Sequence, residues 1–176
     1  AITTATTMLV TALPGGHFAH VAEAAAAPEN IKAFTLDEVS ITDEYYSAAE
    51  ASDIEFLCNF DADRLLSRFR ETAGLDTQGA KPYQGWEDSY LGGHCVGHYL
   101  TAAAQAVKAT GNTDLREKLD YMIDELKVCQ DELGTGFIFG AKIQDKNNVE
   151  KQFNIVEGKD SGDTWVPWYN MHKVLY

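Results

Sequence analysis

Positive charge is scarce in this sequence. Against 27 Asp and Glu stand only 14 Lys and Arg, a formal net charge of −13. A chain this acidic has little with which to neutralise phosphates, which argues against nucleic acid and anionic membrane surfaces as partners. Between Lys32 and Arg64 there is no basic residue at all, while nine acidic ones occur, the pattern of a solvated face. Apolar runs are short as well, and none approaches the roughly 18 residues a membrane span needs. The three cysteines, Cys58, Cys95 and Cys129, are far apart and show no CxxC pattern. They read as buried free thiols rather than a disulfide framework or a zinc knuckle. P-loop, GxGxxG and GxSxG motifs are all missing, which removes the usual signals for nucleotide binding and serine-hydrolase chemistry.

What is present is a composition of 45% hydrophobic and 23% charged residues over 176 positions, suited to one soluble domain with a real core. Residues 1–27 differ from the rest, being rich in Ala, Thr and Gly with no basic residue. They resemble the apolar and cleavage regions of a secretory signal, without its basic start. The expectation is a signal-like or disordered leader on a secreted or cell-surface protein. His17 and His20 fall within it and carry no assigned role.

Residues 28–46 form an expected extended lead-in, with the alternation of "FTLDEVSIT" suggesting a short strand. From Ser47 to Ala73 the apolar spacing turns helical, through Ile54, Leu57 and Cys58 and then Leu65, Leu66 and Phe69. Asp61 or Asp63 is placed to cap the second helix and Gly74 to end it. A Gly- and Pro-containing loop, "DTQGAKPYQGWEDSY", precedes an expected helix over 89–110. Another begins near Asp114, its stripe of Leu115, Leu119, Met122, Leu126 and Cys129 reading as core. The polar stretch after "ELGTGFIFGA" is long for a connection without structure. Helical character resumes at Pro167. No βαβ alternation and no short repeat is visible, so the fold class is all-α.

The chemistry gathers around "GGHCVGHYL". His94 and His98 stand four apart, on one face of a helix. Such a pair can hold a metal, with His172, Glu87 or Cys95 as a third ligand, but no Glu follows the first His as in helical zinc hydrolases. It equally suits contacts to a polar ligand such as a sugar, or two buried structural histidines. Gly93 and Gly97, costly inside a helix, imply close approach of another helix or of a ligand. Tyr83, Trp86, Tyr90, Trp165, Trp168 and Tyr169 fall in two loop-to-helix segments. Such rings suit the faces of sugars, while Glu87, Asp88, His94 and His172 can bind hydroxyls.

The segments "DADRLLSRFRETAGL", "YQGWE", "LGGHCVGHYLTAAAQAVKATGNTDLREKLDYMIDELKVCQ" and "WVPWYNMHKVL" resemble, in that order, the N-terminal part of the β-L-arabinofuranosidase-like glycoside hydrolases, families 127 and 146. The resemblance implies an (α/α)6 barrel, of which residues 47–176 would supply only the first helices, cut within the last. It implies retaining hydrolysis of β-L-arabinofuranosides by a zinc-bound cysteine nucleophile and a glutamate acid/base. Those groups would lie downstream of the "HK" element, and Cys58, Cys95 and Cys129 match none of them. No catalytic residue and no metal ligand is therefore expected in this chain, zinc being expected only in the full-length enzyme. Trp86, Glu87, His94, His98, Trp168, Tyr169 and His172 are the expected substrate-binding residues, and an arabinose-containing glycan is the expected partner. A non-catalytic carbohydrate-binding helical module and a metal-binding helical protein are the alternatives. The exposed faces of an unclosed barrel would favour association.

Overall fold

A computed structural model describes residues 32–143, 145 and 147–175. The leader, residues 1–27, lies outside the described residues. One compact unit runs from Phe34 to Tyr176. Its described residues hold six α-helices and no strand: α1 (Glu44–Asn59), α2 (Ala62–Ala73), α3 (His94–Thr110), α4 (Thr113–Leu133), α5 (Lys151–Val156) and α6 (Pro167–Leu175). The chain is all-α, a partial (α/α)-type helical domain.

Polar caps set most of the boundaries. The Asp43 carboxylate accepts from the Tyr45 and Tyr46 N–H groups and starts α1 three residues before the periodicity suggests. Asp61, not Asp63, caps α2 by accepting from Arg64 N at 3.1 Å, and Gly74 ends the helix in the left-handed region. Asn112 rather than Asp114 opens α4, accepting from Leu115 N at 2.8 Å.

Two expectations need correction. The lead-in forms no strand; its described part contains a 3-10 turn at Leu36–Glu38, closed by a Thr35–Glu38 capping box. The third helix starts at His94 rather than Ser89, because Gly93 at φ 89° is its N-cap and not an interior residue. The polar stretch, long for a connection without structure, includes α5, which delivers Phe153 to a second apolar cluster with Phe139, Ala141 and Val149.

The main core lies between α2, α3 and α4. Leu65, Leu66 and Phe69 meet Val96, Tyr99, Leu100, Ala103 and Val107, and the α4 stripe of Leu115, Met122, Leu126 and Cys129 closes it. Leu119, the remaining member of that stripe, is only half-buried. The α1 helix buries none of its residues fully. It is tied down by hydrogen bonds at its C-terminus, where the Lys118 ammonium donates to the Phe60 carbonyl at 2.6 Å and the Tyr99 hydroxyl to the Leu57 carbonyl at 2.8 Å. A cation there also suits the negative end of the helix dipole.

Beneath this core an ionic cluster joins α2 to α4. Arg70 is 1% exposed and donates to Glu125 at 2.6 and 2.9 Å, to Asp63 at 2.9 Å and to the Tyr121 hydroxyl at 2.8 Å. Burial opposes the guanidinium charge, but these hydrogen bonds outweigh it and raise the Arg70 pKa.

The α6 helix lies against α3. A Cβ on Gly97 would overlap the Lys173 backbone carbonyl, so only glycine lets the two backbones approach this closely. This contact brings the "WVPWY" segment beside His94 and His98.

Candidate functional site

The loop ahead of α3 is folded tightly on itself. Trp86 and Glu87 sit in a 3-10 turn, Gly85–Asp88. The Ser89 hydroxyl donates to the Trp86 carbonyl at 2.6 Å and accepts from Leu91 N at 3.1 Å. A Cβ on Gly92 would come within 2.6 Å of the Glu87 carbonyl. The paired glycines therefore have separate reasons: Gly92 makes room for the loop, and Gly93 supplies the left-handed turn into α3.

The turn brings Glu87 under the start of α3, where it is 6% exposed. Its Oε2 accepts from Gly93 N at 2.9 Å and its Oε1 from Cys95 N at 3.1 Å. A carboxylate at a helix N-terminus satisfies exposed N–H groups and suits the positive end of the dipole. The same Oε1 lies 2.6 Å from His94 Nδ1, which also donates to the Leu91 carbonyl at 2.8 Å. His94 is 9% exposed. Its Nε2 lies 3.6 Å from Cys95 Sγ. Burial, and then the negative charge of Glu87, push the Cys95 thiol up to about 12.

His94 is the centre of a ring cluster. Trp86, His98 and Tyr169 have ring centroids 6.4, 6.2 and 6.4 Å from it. Together with Leu91, Trp165 and Val166 these side chains line an open cleft of about 470 Å³. Trp86 and Trp165 are 68% and 54% exposed, large flat surfaces presented to solvent. His98 lies on the exposed side. Desolvation first, and the neighbouring Lys173 charge second, hold it below the ordinary histidine value, so it is mostly a neutral ring at pH 7. The Lys173 ammonium itself lies 5.0 Å from the Tyr169 ring centroid.

Of the expected binding residues, the structure brings Trp86, His94, His98 and Tyr169 to this cleft. Glu87 does not line it, because both of its oxygens are spent behind His94. Trp168 turns the other way and packs edge-on against Phe153, centroids 4.7 Å apart. His172 is exposed further along α6 and is not among the cleft-lining side chains. Tyr83 is also structural, carrying Arg64 over its ring at 4.0 Å and packing against Phe60. Leu91, Trp165 and Val166 line the cleft without having been singled out as binding residues; the aromatic clustering had marked Trp165 alone. Asn170, 2% exposed, escaped notice altogether. It donates to the Tyr90 carbonyl at 2.9 Å and so pins α6 to the loop bearing Trp86. No motif marks such a bond between residues 80 positions apart.

Two other features bear on function. The larger groove between α1 and α3, about 600 Å³, is mostly apolar and lacks convergent ionisable groups beyond Glu50 and Asp53. Among the described residues, the one group able to gather three metal-ligand atoms is Glu87, His94 and Cys95. In the ligand-free protein its carboxylate already accepts from two backbone N–H groups and His94 Nδ1 faces the Leu91 carbonyl. Cys129 is buried in the core, and Cys58 packs against it, so neither lines the cleft. No helix of the described residues is long and apolar enough to cross a membrane.

None of the curated proteins matches the chain. A family model does, over residues 38–176, a span that includes all six helices and every residue of the cleft. It is described as "Beta-L-arabinofuranosidase, GH127 catalytic domain", and the chain belongs to that glycoside hydrolase family.

Proposed function

We propose that this chain forms one wall of the sugar-binding cleft of a glycoside hydrolase acting on β-L-arabinofuranosides or related plant-glycan sugars. The observation that carries the proposal is the convergence of His94, His98, Trp86, Trp165 and Tyr169 on one open cleft. Aromatic faces cover the apolar faces of a sugar ring, and neutral imidazoles exchange hydrogen bonds with its hydroxyls. The natural ligand on this reading is an arabinose-containing glycan outside the cell, met by a secreted or cell-surface enzyme.

The chain's own part is binding rather than bond cleavage. A retaining glycosidase needs a nucleophile and an acid/base partner about 5–5.5 Å apart. Cys95 is the cysteine nearest the cleft, and its thiol, pushed up to about 12, is a poor nucleophile at neutral pH. Glu87 is committed to backbone N–H groups. In this proposal the zinc, the nucleophile and the acid/base of the complete enzyme come from outside these 176 residues.

Calorimetric titration with methyl β-L-arabinofuranoside tests the reading. Binding is expected for the wild-type chain and a roughly tenfold loss for His94→Ala, the value of one good hydrogen bond. An aryl β-L-arabinofuranoside is expected to remain uncleaved by the 176-residue chain. Equal affinity in His94→Ala, or robust turnover, would overturn the proposal.

A further inference from the structure

The surroundings of the two His94 nitrogens are unlike. Around Nδ1 lie the Leu91 carbonyl at 2.8 Å and Glu87 Oε1 at 2.6 Å. Neither the carbonyl nor the carboxylate can donate a hydrogen bond, so the ring proton belongs on this nitrogen. Near Nε2, at 3.6 Å, lies Cys95 Sγ, whose thiol keeps its proton and is a weak donor. Both ends of the ring therefore favour one tautomer, with the lone pair on Nε2.

Glu87 is also fixed in place. Accepting from Gly93 N and Cys95 N, it is braced by the first turn of the helix that carries His94. The carboxylate thus serves the helix start and the imidazole at once, and either bond misplaced would disturb the other.

We propose that Glu87 is a positioning residue that, with the Leu91 carbonyl, locks His94 in the Nδ1–H tautomer, so that Nε2 accepts a hydrogen bond from a hydroxyl in the cleft. The cleft then selects a neutral polyol, since a hydroxyl can donate to Nε2 and a carboxylate or phosphate oxygen cannot. The weak thiol contact is readily displaced by such a hydroxyl. The inference rests on the sugar-binding reading for its ligand, while the tautomer itself is a property of the free protein.

The test is a long-range proton–nitrogen correlation spectrum of the ligand-free chain, with histidine labelled in nitrogen-15 and His94 assigned by its loss in His94→Ala. Among neutral rings, the wild type is expected to hold only the Nδ1–H tautomer. Glu87→Ala, which removes one of the two acceptors at Nδ1 and leaves the Leu91 carbonyl, is expected to give a several-fold rise in the Nε2–H form. Glu87→Gln, whose amide oxygen can still accept there, is expected to retain the wild-type tautomer. A helix cap acting through stability alone would leave the ring unmoved in all three. An Nε2–H tautomer of the neutral wild-type ring overturns the proposal, as does an unchanged tautomer ratio in folded Glu87→Ala. Should Glu87→Ala not fold, the wild-type and Glu87→Gln spectra decide. In the titration, methyl β-L-arabinofuranoside is expected to bind several-fold tighter than its C5 carboxylate. Equal or tighter binding of the carboxylate counts against the selection. Failure of both sugars to bind sinks the sugar-binding reading and the ligand selection with it, and leaves the tautomer to be judged on the spectra.

Discussion

Two ionic clusters in this molecule, each centred on one buried charged side chain, Arg70 or Glu87, are built from similar parts and end differently. Around Arg70, the guanidinium is directed at Glu125, Asp63 and Tyr121, and the cluster joins α2 to α4. Around Glu87, the carboxylate is saturated by the start of α3, and its partner His94 reaches a cleft open to solvent. In the first cluster the charges face one another across the α2–α4 contact. The second keeps one ring nitrogen in reserve behind a carboxylate that cannot move, which is how a binding group is held still.

Breaking the first cluster should cost stability without touching the cleft. Glu125→Ala leaves the buried Arg70 charge with fewer partners and is expected to destabilise the chain by about 3 kcal/mol, read by urea denaturation. Sugar affinity of the folded protein should be unchanged. A loss of affinity with intact fold would mean that the two clusters are coupled. Gly97→Ala should act on both, because the added methyl meets the Lys173 carbonyl and not a flexible side chain. About 2 kcal/mol of stability should go, and the cleft should weaken as α6 shifts from α3.

The position of α6 shows what the sequence could and could not reveal. The α4 stripe from Leu115 to Cys129 was legible from its period alone, and so were the C-terminal stop at Gly74 and the His94/His98 pair. Tight approach at Gly97 was legible as a cost without a partner; only the fold shows that the partner is the Lys173 backbone. The split between Trp168 and Tyr169 was not legible. Adjacent helical residues differ by about 100° in direction, so one faces His94 and the other Phe153. The place of Glu87 was not legible for the same kind of reason. Its distance from the helix start depends on the left-handed turn at Gly93 and the 3-10 turn before it, neither of which has a periodic signature.

Exchanging single indoles sharpens this division. Trp86→Ala removes an exposed ring and is expected to leave stability within about 0.5 kcal/mol, while sugar affinity falls roughly tenfold, as for a lost stacking platform. Trp168→Ala should do the reverse, lowering stability through its contact with Phe153 and sparing affinity.

Acid provides the mildest perturbation. The Asp63 pKa is held below its ordinary 3.8, chiefly by the hydrogen bond donated by Tyr121 and then by Arg70. A lowered folded value means that the unfolded chain takes up the proton first, so stability is lost as pH falls below 3.8 toward the folded value. Above about pH 5 this contribution is complete. Asp63→Asn should flatten that part of the acid limb in a pH series of denaturation midpoints and leave the cleft's affinity unchanged at neutral pH.

The central claim, that the face shared by the α3 start and the α6 start holds a sugar, is tested most directly by following the three indole N–H signals while methyl β-L-arabinofuranoside is added. The account predicts that Trp86 and Trp165 move together and saturably while Trp168 stays where it is. No movement of Trp86 and Trp165 at millimolar sugar, or movement of Trp168 alone, would contradict it.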